Sequence, residues 1–167
     1  MYRSAPVPAS ASDSNGSASS SAAAGGNKMR KMADLVRHQD PLMLPPSVSV
    51  REACRRMRDR RVGAVLVVAE DDNRLLGIFT GRDAVHRVLA EGKSADHTSL
   101  EEVMTREPTL IPPHLTAIEA LRLMEDGRYR HVPVVEDGKV VGVVSRFDFS
   151  GTELDRLDEE TGLWERI

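Results

Sequence analysis

Two seven-residue segments carry the residue types best suited to hold a charged small molecule: Gly77-Ile78-Phe79-Thr80-Gly81-Arg82-Asp83 and Gly142-Val143-Val144-Ser145-Arg146-Phe147-Asp148. Each places a hydroxyl, and three positions later a carboxylate, where an apolar run gives way to a helix. Free backbone N–H groups at a helix start favour an anion such as phosphate. A carboxylate beside them can accept from two neighbouring ribose hydroxyls. Thr80, Asp83, Ser145 and Asp148 are therefore the first candidates. The same pattern is also a plain capping motif, in which hydroxyl and carboxylate close a helix end. The two roles are compatible, and the pattern alone does not separate them. Arg128, Arg130 and His131 stand where the chain enters the apolar run Val132-Pro133-Val134-Val135. They read either as a solvated charge cluster or as donors to an anion.

Other chemistries are less well supported. The five histidines and one cysteine show no close metal-ligand spacing, so no metal is expected. Cys54 falls on the apolar side of a helical pattern and reads as a structural thiol. The run Arg51, Arg55, Arg56, Arg58, Arg60, Arg61 could hold RNA, but it alternates with core positions and reads more simply as a solvated face. A net charge of −3 argues against a general nucleic-acid binder. There is no Walker-type loop and no hydrolytic triad. With no membrane-length apolar run and no secretory leader, the protein is expected in the cytoplasm. At 167 residues, 40% of them apolar and only 4% aromatic, the chain has room for one aliphatic-cored domain and a tail but not for a catalytic domain as well.

The elements that must position these residues come in two copies. A shift of 67 residues superposes Asp40-Pro41 on Glu107-Pro108, Pro45-Pro46 on Pro112-Pro113, Glu52-Ala53 on Glu119-Ala120 and Val67-Val68 on Val134-Val135. Two extra residues after Glu70 then change the shift to 65, which brings Gly77 onto Gly142 and Asp83 onto Asp148. Each copy opens with a short apolar strand (Leu42 to Leu44; Thr109 to Ile111) ended by a Pro-Pro pair. A helix follows, started by a capping box at Ser49–Glu52 or Thr116–Glu119. Its core face is Val50, Ala53, Cys54 and Met57, or Ala117, Ala120, Leu121 and Met124. Two β-rich runs come next, joined in the second copy through Asp137-Gly138, a hairpin signal. A last helix begins near Arg82 or Arg146. The expected fold is α/β (α+β), a β-α-β-β-α unit used twice.

That order, with Ile-Pro-Pro-x-x-Thr-x-x-Glu-Ala, His-Val-Pro-Val-Val and Gly-Val-Val-Ser-Arg-Phe-Asp, resembles the cystathionine-β-synthase (CBS) pair, or Bateman module, from about Lys31 to Thr152. The resemblance implies two repeats packed sheet against sheet about a pseudo-twofold axis, with two clefts between them. It implies AMP, ADP or ATP, or a relative such as NAD or S-adenosylmethionine, as a regulatory rather than catalytic ligand, signalled to an effector protein. It also implies a homodimer, for which Leu121, Leu123, Met124, Val85, Val88 and Leu89 would supply apolar surface. In such proteins a basic residue three before the strand proline, here Arg130, grips phosphate, as does one just ahead of the Asp position, here Arg82. On that basis one cleft is expected to combine Arg130, Ser145, Asp148 and Arg82 and to bind tightly. Gly63, Thr80, Asp83 and Phe147 would form a weaker one, with Arg128, His131 or Arg146 able to swing in. The divisions expected are a disordered tail over 1–30, repeats over 31–92 and 93–152, and an acidic amphipathic helix over 153–167. A structural or adaptor dimer without ligand dependence is the alternative function.

Overall fold

The computed structural model describes residues 29–164, with side chains through residue 157. The expected tail before Met29, and the side chains of the expected C-terminal helix beyond residue 157, lie outside what is described.

In the first half, β1 (Met43–Leu44) pairs in parallel with β2 (Ala64–Val68), which pairs antiparallel with β3 (Leu75–Thr80). Helix α2 (Val50–Arg60) lies between β1 and β2 in sequence. Its start is fixed as the capping pattern requires, by the Ser49 side chain accepting from Glu52 N at 3.2 Å. In the second half, α5 (Ala117–Asp126) is capped by Thr116 in the same way, and β5 (His131–Glu136) pairs with β6 (Lys139–Ser145). Asp137 (φ 50°) and Gly138 (φ 77°) form the two-residue turn, both in the left-handed region that matches a hairpin's twist.

The strand expected at Thr109 to Ile111 shrinks to one parallel bridge, Ile111 to Val134. Prolines at 108, 112 and 113 remove the donors on either side. The closing helices also differ. Thr80 leads into α3 (Gly81–Asp83), which continues as a π-helical stretch, Ala84–Leu89. Ser145 leads only into a 3-10 turn, Arg146–Asp148, after which α6 (Gly151–Trp164) begins. Leu154 and Leu157 of α6 join the second core, so the acidic amphipathic helix expected from 153 onward begins at Gly151 and packs on its own chain.

The core is not divided as the repeats are. Helix α1 (Met32–Val36), from the first repeat, buries Met32 and Val36 among Ile111, Ala120, Leu121 and Val134 of the second. Two backbone hydrogen bonds fix it there, Met32 N to Leu115 O and Ala33 N to Pro113 O, both 2.8 Å. In exchange, α4 (Leu100–Val103) and β4 (Thr105–Arg106) from the second half pack on the first. Leu100, Val103 and Met104 meet Val50, Val65 and Phe79, and β4 extends the first sheet beside β3. Gly142 and Gly77, equivalent by the repeat, allow the two close approaches. A Cβ at Gly142 would lie 2.5 Å from Val36 Cβ, and one at Gly77 would lie 2.7 Å from the Thr105 carbonyl oxygen.

All five residues of β2 are buried, because both faces of the sheet are covered. Val65 and Val67 face the helices, whereas Ala64 and Leu66, with Ile78, pack against Val140 and Val143 of the other hairpin. This sheet-to-sheet contact is the pseudo-twofold interface. Three of the apolar residues expected to serve a dimer are used internally instead: Leu121, Met124 and Val88 are buried. Leu123 is half-buried, and Val85 and Leu89 remain exposed.

Candidate functional site

The two hydroxyl–carboxylate motifs sit at strand-to-helix junctions, and in both the capping geometry is present. Thr80 N and Oγ1 donate to Asp83 Oδ2 at 2.9 and 3.0 Å, and Asp83 N donates back to Thr80 Oγ1 at 3.3 Å. Ser145 N and Oγ donate to Asp148 Oδ2 at 2.6 and 3.1 Å. Each cap uses one carboxylate oxygen. The other oxygen of Asp83 lies 3.5 Å from Arg87 Nε, and Arg87 Nη1 donates to the Val103 and Met104 carbonyls at 3.1 and 2.9 Å. A capping role thus leaves Oδ1 able to accept from a ligand.

Each motif opens into a hollow whose opposite wall belongs to the other repeat. One, of about 580 Å³, runs from Thr80 and Asp83 to Pro108, Thr109, Arg128 and Arg130. The other, of about 680 Å³, runs from Ser145 and Asp148 to Asp40, Pro41, Arg61 and Gly63. These are equivalent places in the repeat, since Pro41 matches Pro108, Arg61 matches Arg128 and Gly63 matches Arg130. A third hollow, of about 800 Å³, lies beside the first and is lined by Arg82, Arg128, Arg130, Ser145, Arg146 and Phe147 among others.

This arrangement corrects the expected grouping. Arg130 and Arg82 do share a hollow, but with Thr80 and Asp83 rather than with Asp148. Phe147 lines the hollow of Ser145 and Asp148 rather than that of Thr80 and Asp83, while Gly63 lies at the edge of both. Arg130 and Ser145 meet only in the third hollow, which Asp148 does not line. The reason is geometric. Arg130 and Ser145 flank the ends of one hairpin, where His131 pairs with Ser145, whereas the clefts lie between hairpins and take one wall from each.

His131 lines all three hollows. A Cβ on Gly63 would lie 3.0 Å from its Nε2, and its Nδ1 is buried without a hydrogen-bond partner among the described residues. Burial pushes its pKa down; the charge of Asp148 opposes this shift and that of Arg130 adds to it. Burial thus disfavours the charged form of the ring where it stands between the clefts.

Arginine pairing separates the remaining candidates. In the Arg51–Arg61 run, Arg51 pairs with Asp96, Arg56 with Glu52, Arg58 with Asp59 and Arg60 with Asp40. A surface on which four of six cations are already matched by carboxylates is less suited to nucleic-acid phosphates. The side chains of Arg82, Arg128 and Arg130, by contrast, make no ion pair or hydrogen bond among the described residues, and all three line both the first and third hollows. Arg146 has only a 3.7 Å contact with Glu125.

Sequence reasoning missed Arg87, Thr109 and Tyr129, which also line the first hollow. Thr109 Oγ1 donates to Tyr129 Oη at 3.0 Å. Arg87 was findable, being one helical turn beyond Asp83; nothing in the local pattern marks the Thr109–Tyr129 contact. Among the described residues no cluster of His, Cys, Asp and Glu could hold a metal, and no helix is long and apolar enough to cross a membrane.

Comparison with known proteins gives a consistent result. The family described as CBS domain matches residues 32–90 and 100–152. The CBS domain-containing protein CBSCBSPB2 of Arabidopsis thaliana is 44% identical over 110 residues, 65% of this chain and 20% of that protein. This chain thus spans about a fifth of the length of such relatives. The uncharacterized protein YlbB of Bacillus subtilis is 36% identical over 105 residues, 63% of this chain and 70% of its own length. Among solved structures, a CBS-domain containing protein of Agrobacterium tumefaciens aligns at 33% identity with a TM-score of 0.66, covering 73% of this chain and 92% of that one. A CBS domain protein of Pyrobaculum aerophilum, solved complexed with AMP, aligns at 26% identity with a TM-score of 0.70, covering 77% of this chain and 98% of that one. With both repeats matched, and two sheets packed face to face over paired hydroxyl–carboxylate caps, the chain belongs to the CBS domain family.

Proposed function

We propose that this chain is a regulatory module, not an enzyme, that binds an adenine nucleotide between its repeats and signals its presence to an effector protein. The observation that carries the reading is the hollow of about 580 Å³ in which Thr80 and Asp83 face the unpaired Arg82, Arg128 and Arg130. Its size suits a nucleotide, within the roughly 300–1,000 Å³ usual for small-molecule sites. The Asp83 carboxylate would accept from ribose hydroxyls, and the arginine forks would donate to phosphate oxygens. The relative from Pyrobaculum aerophilum, complexed with AMP, supports an adenosine monophosphate or a close derivative as the ligand class. NAD and S-adenosylmethionine share the adenosyl part and remain candidates.

Binding between two rigid halves gives a ligand leverage over their relative angle, provided it prefers one angle over another. Cys54 adds no catalytic competitor: it is half-buried on α2 and burial pushes its thiol pKa up. A single, partly buried thiol suits a reducing compartment such as the cytoplasm; CBSX3 of Arabidopsis thaliana, 36% identical over 100 residues, carries a mitochondrial designation. A homodimer would cover Val85 and Leu89, 53% and 71% exposed on the same helical stretch. A light-scattering mass of one chain at micromolar concentration would count against it.

The direct test is thermal denaturation with and without AMP, ADP and ATP. At one hundred times Kd a ligand specific for the native state stabilises it by about 2.7 kcal/mol. No shift with millimolar concentrations of these nucleotides, NAD or S-adenosylmethionine would return the chain to the class of structural adaptors.

A further inference from the structure

We infer that the ligand of the Asp83 cleft carries a chain of phosphates, a nucleoside triphosphate in preference to a monophosphate, with its outer phosphates running into the adjoining third hollow. The inference rests on the nucleotide reading of the first hollow and adds a second binding region that this reading does not need. The first and third hollows share Arg82, Arg128, Arg130 and His131 along their common edge, and the third adds Arg146. A ribose on Asp83 and one phosphate on Arg130 would leave most of this positive charge unanswered. Several arginines elsewhere do find carboxylates: Arg30, Arg51, Arg60 and Arg106 each have a partner. At this edge three do not, and a fourth has only a long contact with Glu125, both side chains about half exposed. Such a contact contributes little and yields readily to a phosphate.

Like charges gathered without partners repel one another, so an arrangement of this kind favours a multiply charged anion. The Asp148 cleft shows the opposite balance. Its Arg60 is paired to Asp40, Gly63 stands where Arg130 stands in the other, and only Arg61 is unpaired among its described arginines. The third hollow itself opens toward the first cleft's arginines; Asp148 does not line it.

The experiment is calorimetric titration of the full chain with AMP, ADP, ATP and inorganic tripolyphosphate, repeated on Arg146→Gln. Arg146 is exposed and its replacement leaves the core intact. The expected result is affinity rising from AMP to ATP by roughly tenfold or more, the size of one additional charge-assisted contact. Arg146→Gln should lower ATP and tripolyphosphate affinity severalfold and leave AMP unchanged. AMP binding as tightly as ATP, or equal losses for AMP and ATP in the variant, would overturn the inference while leaving the nucleotide reading in place. Tripolyphosphate binding that depends on Arg146, with no nucleotide bound, would sustain the phosphate site and overturn the nucleotide reading. Absence of all binding would overturn both.

Discussion

The Asp83 and Asp148 clefts have the same local chemistry and different surroundings. In both, a strand ends in a hydroxyl that shares its backbone and side-chain donors with a carboxylate oxygen three residues on. What differs is the wall contributed by the opposite repeat and the residue just ahead of the carboxylate: Arg130 and Arg82 on one side, Gly63 and Phe147 on the other. The motif most easily recognised in sequence is thus the part that does not discriminate. The difference lies in one residue beside each carboxylate, Arg82 or Phe147, and in one far away in the chain, Arg130 or Gly63, so the two copies differ in charge while both caps stay intact.

The largest expected effect follows directly. Arg82→Ala combined with Arg130→Ala removes two charge-assisted contacts worth about 1.5–3 kcal/mol each, so calorimetry should show nucleotide affinity falling by roughly a hundredfold or more. Asp83→Ala should also weaken binding strongly. Asp148→Ala is the matched control: it removes the same kind of cap, about 1 kcal/mol of stability, yet should leave the high-affinity phase within about threefold. Equal losses for the two aspartate variants would break the comparison.

Next in size are the two glycines that admit the exchanged segments. Gly142→Ala drives a methyl group against Val36 in α1, and Gly77→Ala drives one against the Thr105 carbonyl in β4. Overpacking of this kind costs about 1–3 kcal/mol. Denaturant titration should show both variants destabilised; unchanged midpoints would mean that α1 and α4 are not held as tightly as the packing indicates.

A smaller effect should come from making the clefts more alike. Phe147 is 99% exposed, so Phe147→Arg sacrifices no packing and places in the Asp148 cleft the residue that Arg82 provides in the other. Binding at the weaker cleft should improve by about fivefold to tenfold, less than a full contact because Gly63 is unchanged. No improvement would show that the asymmetry depends on Arg130 alone.

The smallest concerns a latch found in the second half only. Arg30 Nε and Nη2 donate to Glu153 Oε1 and Oε2 at 2.8 and 2.7 Å, joining the start of the described chain to α6. The Arg30 hydrogen bond, with help from Ser150, holds the Glu153 carboxyl below its usual range. A depressed pKa contributes stability above the unfolded value, about 4.3, and loses it as the pH falls through the folded value. Wild-type melting temperature should therefore fall between about pH 5 and 3 more steeply than that of Glu153→Gln. At neutral pH the variant should lose about 1 kcal/mol or less, as a partly exposed pair contributes. Parallel pH curves would show the pair to be without energetic consequence.

Several elements were legible because their signals are local. The capping boxes at Ser49 and Thr116, the apolar stripes of α2 and α5 and the Asp137-Gly138 turn each lie within a few residues, and each is present where expected. The π-helical course of Ala84–Leu89 and the break before α6 were not legible; they occur where helix ends must fit a neighbouring core. Helices α1 and α4, of five and four residues, are too short to show a period, and each is held by a core belonging to the other half.

By itself, the sequence determined that there are two repeats, where their caps and hairpins fall, and which positions are equivalent between them, since all of these follow from spacing along the chain. Only the tertiary structure decided which wall faces which. The residues of β2 are apolar on both faces, so their alternation cannot say which face meets the helices and which meets the other hairpin. That choice sets Arg130 opposite Asp83 and Gly63 opposite Asp148. Equivalence is a property of a repeat, whereas facing is a property of how two copies pack, and with both faces hydrophobic the packing is settled by the fit of whole surfaces rather than by any local pattern.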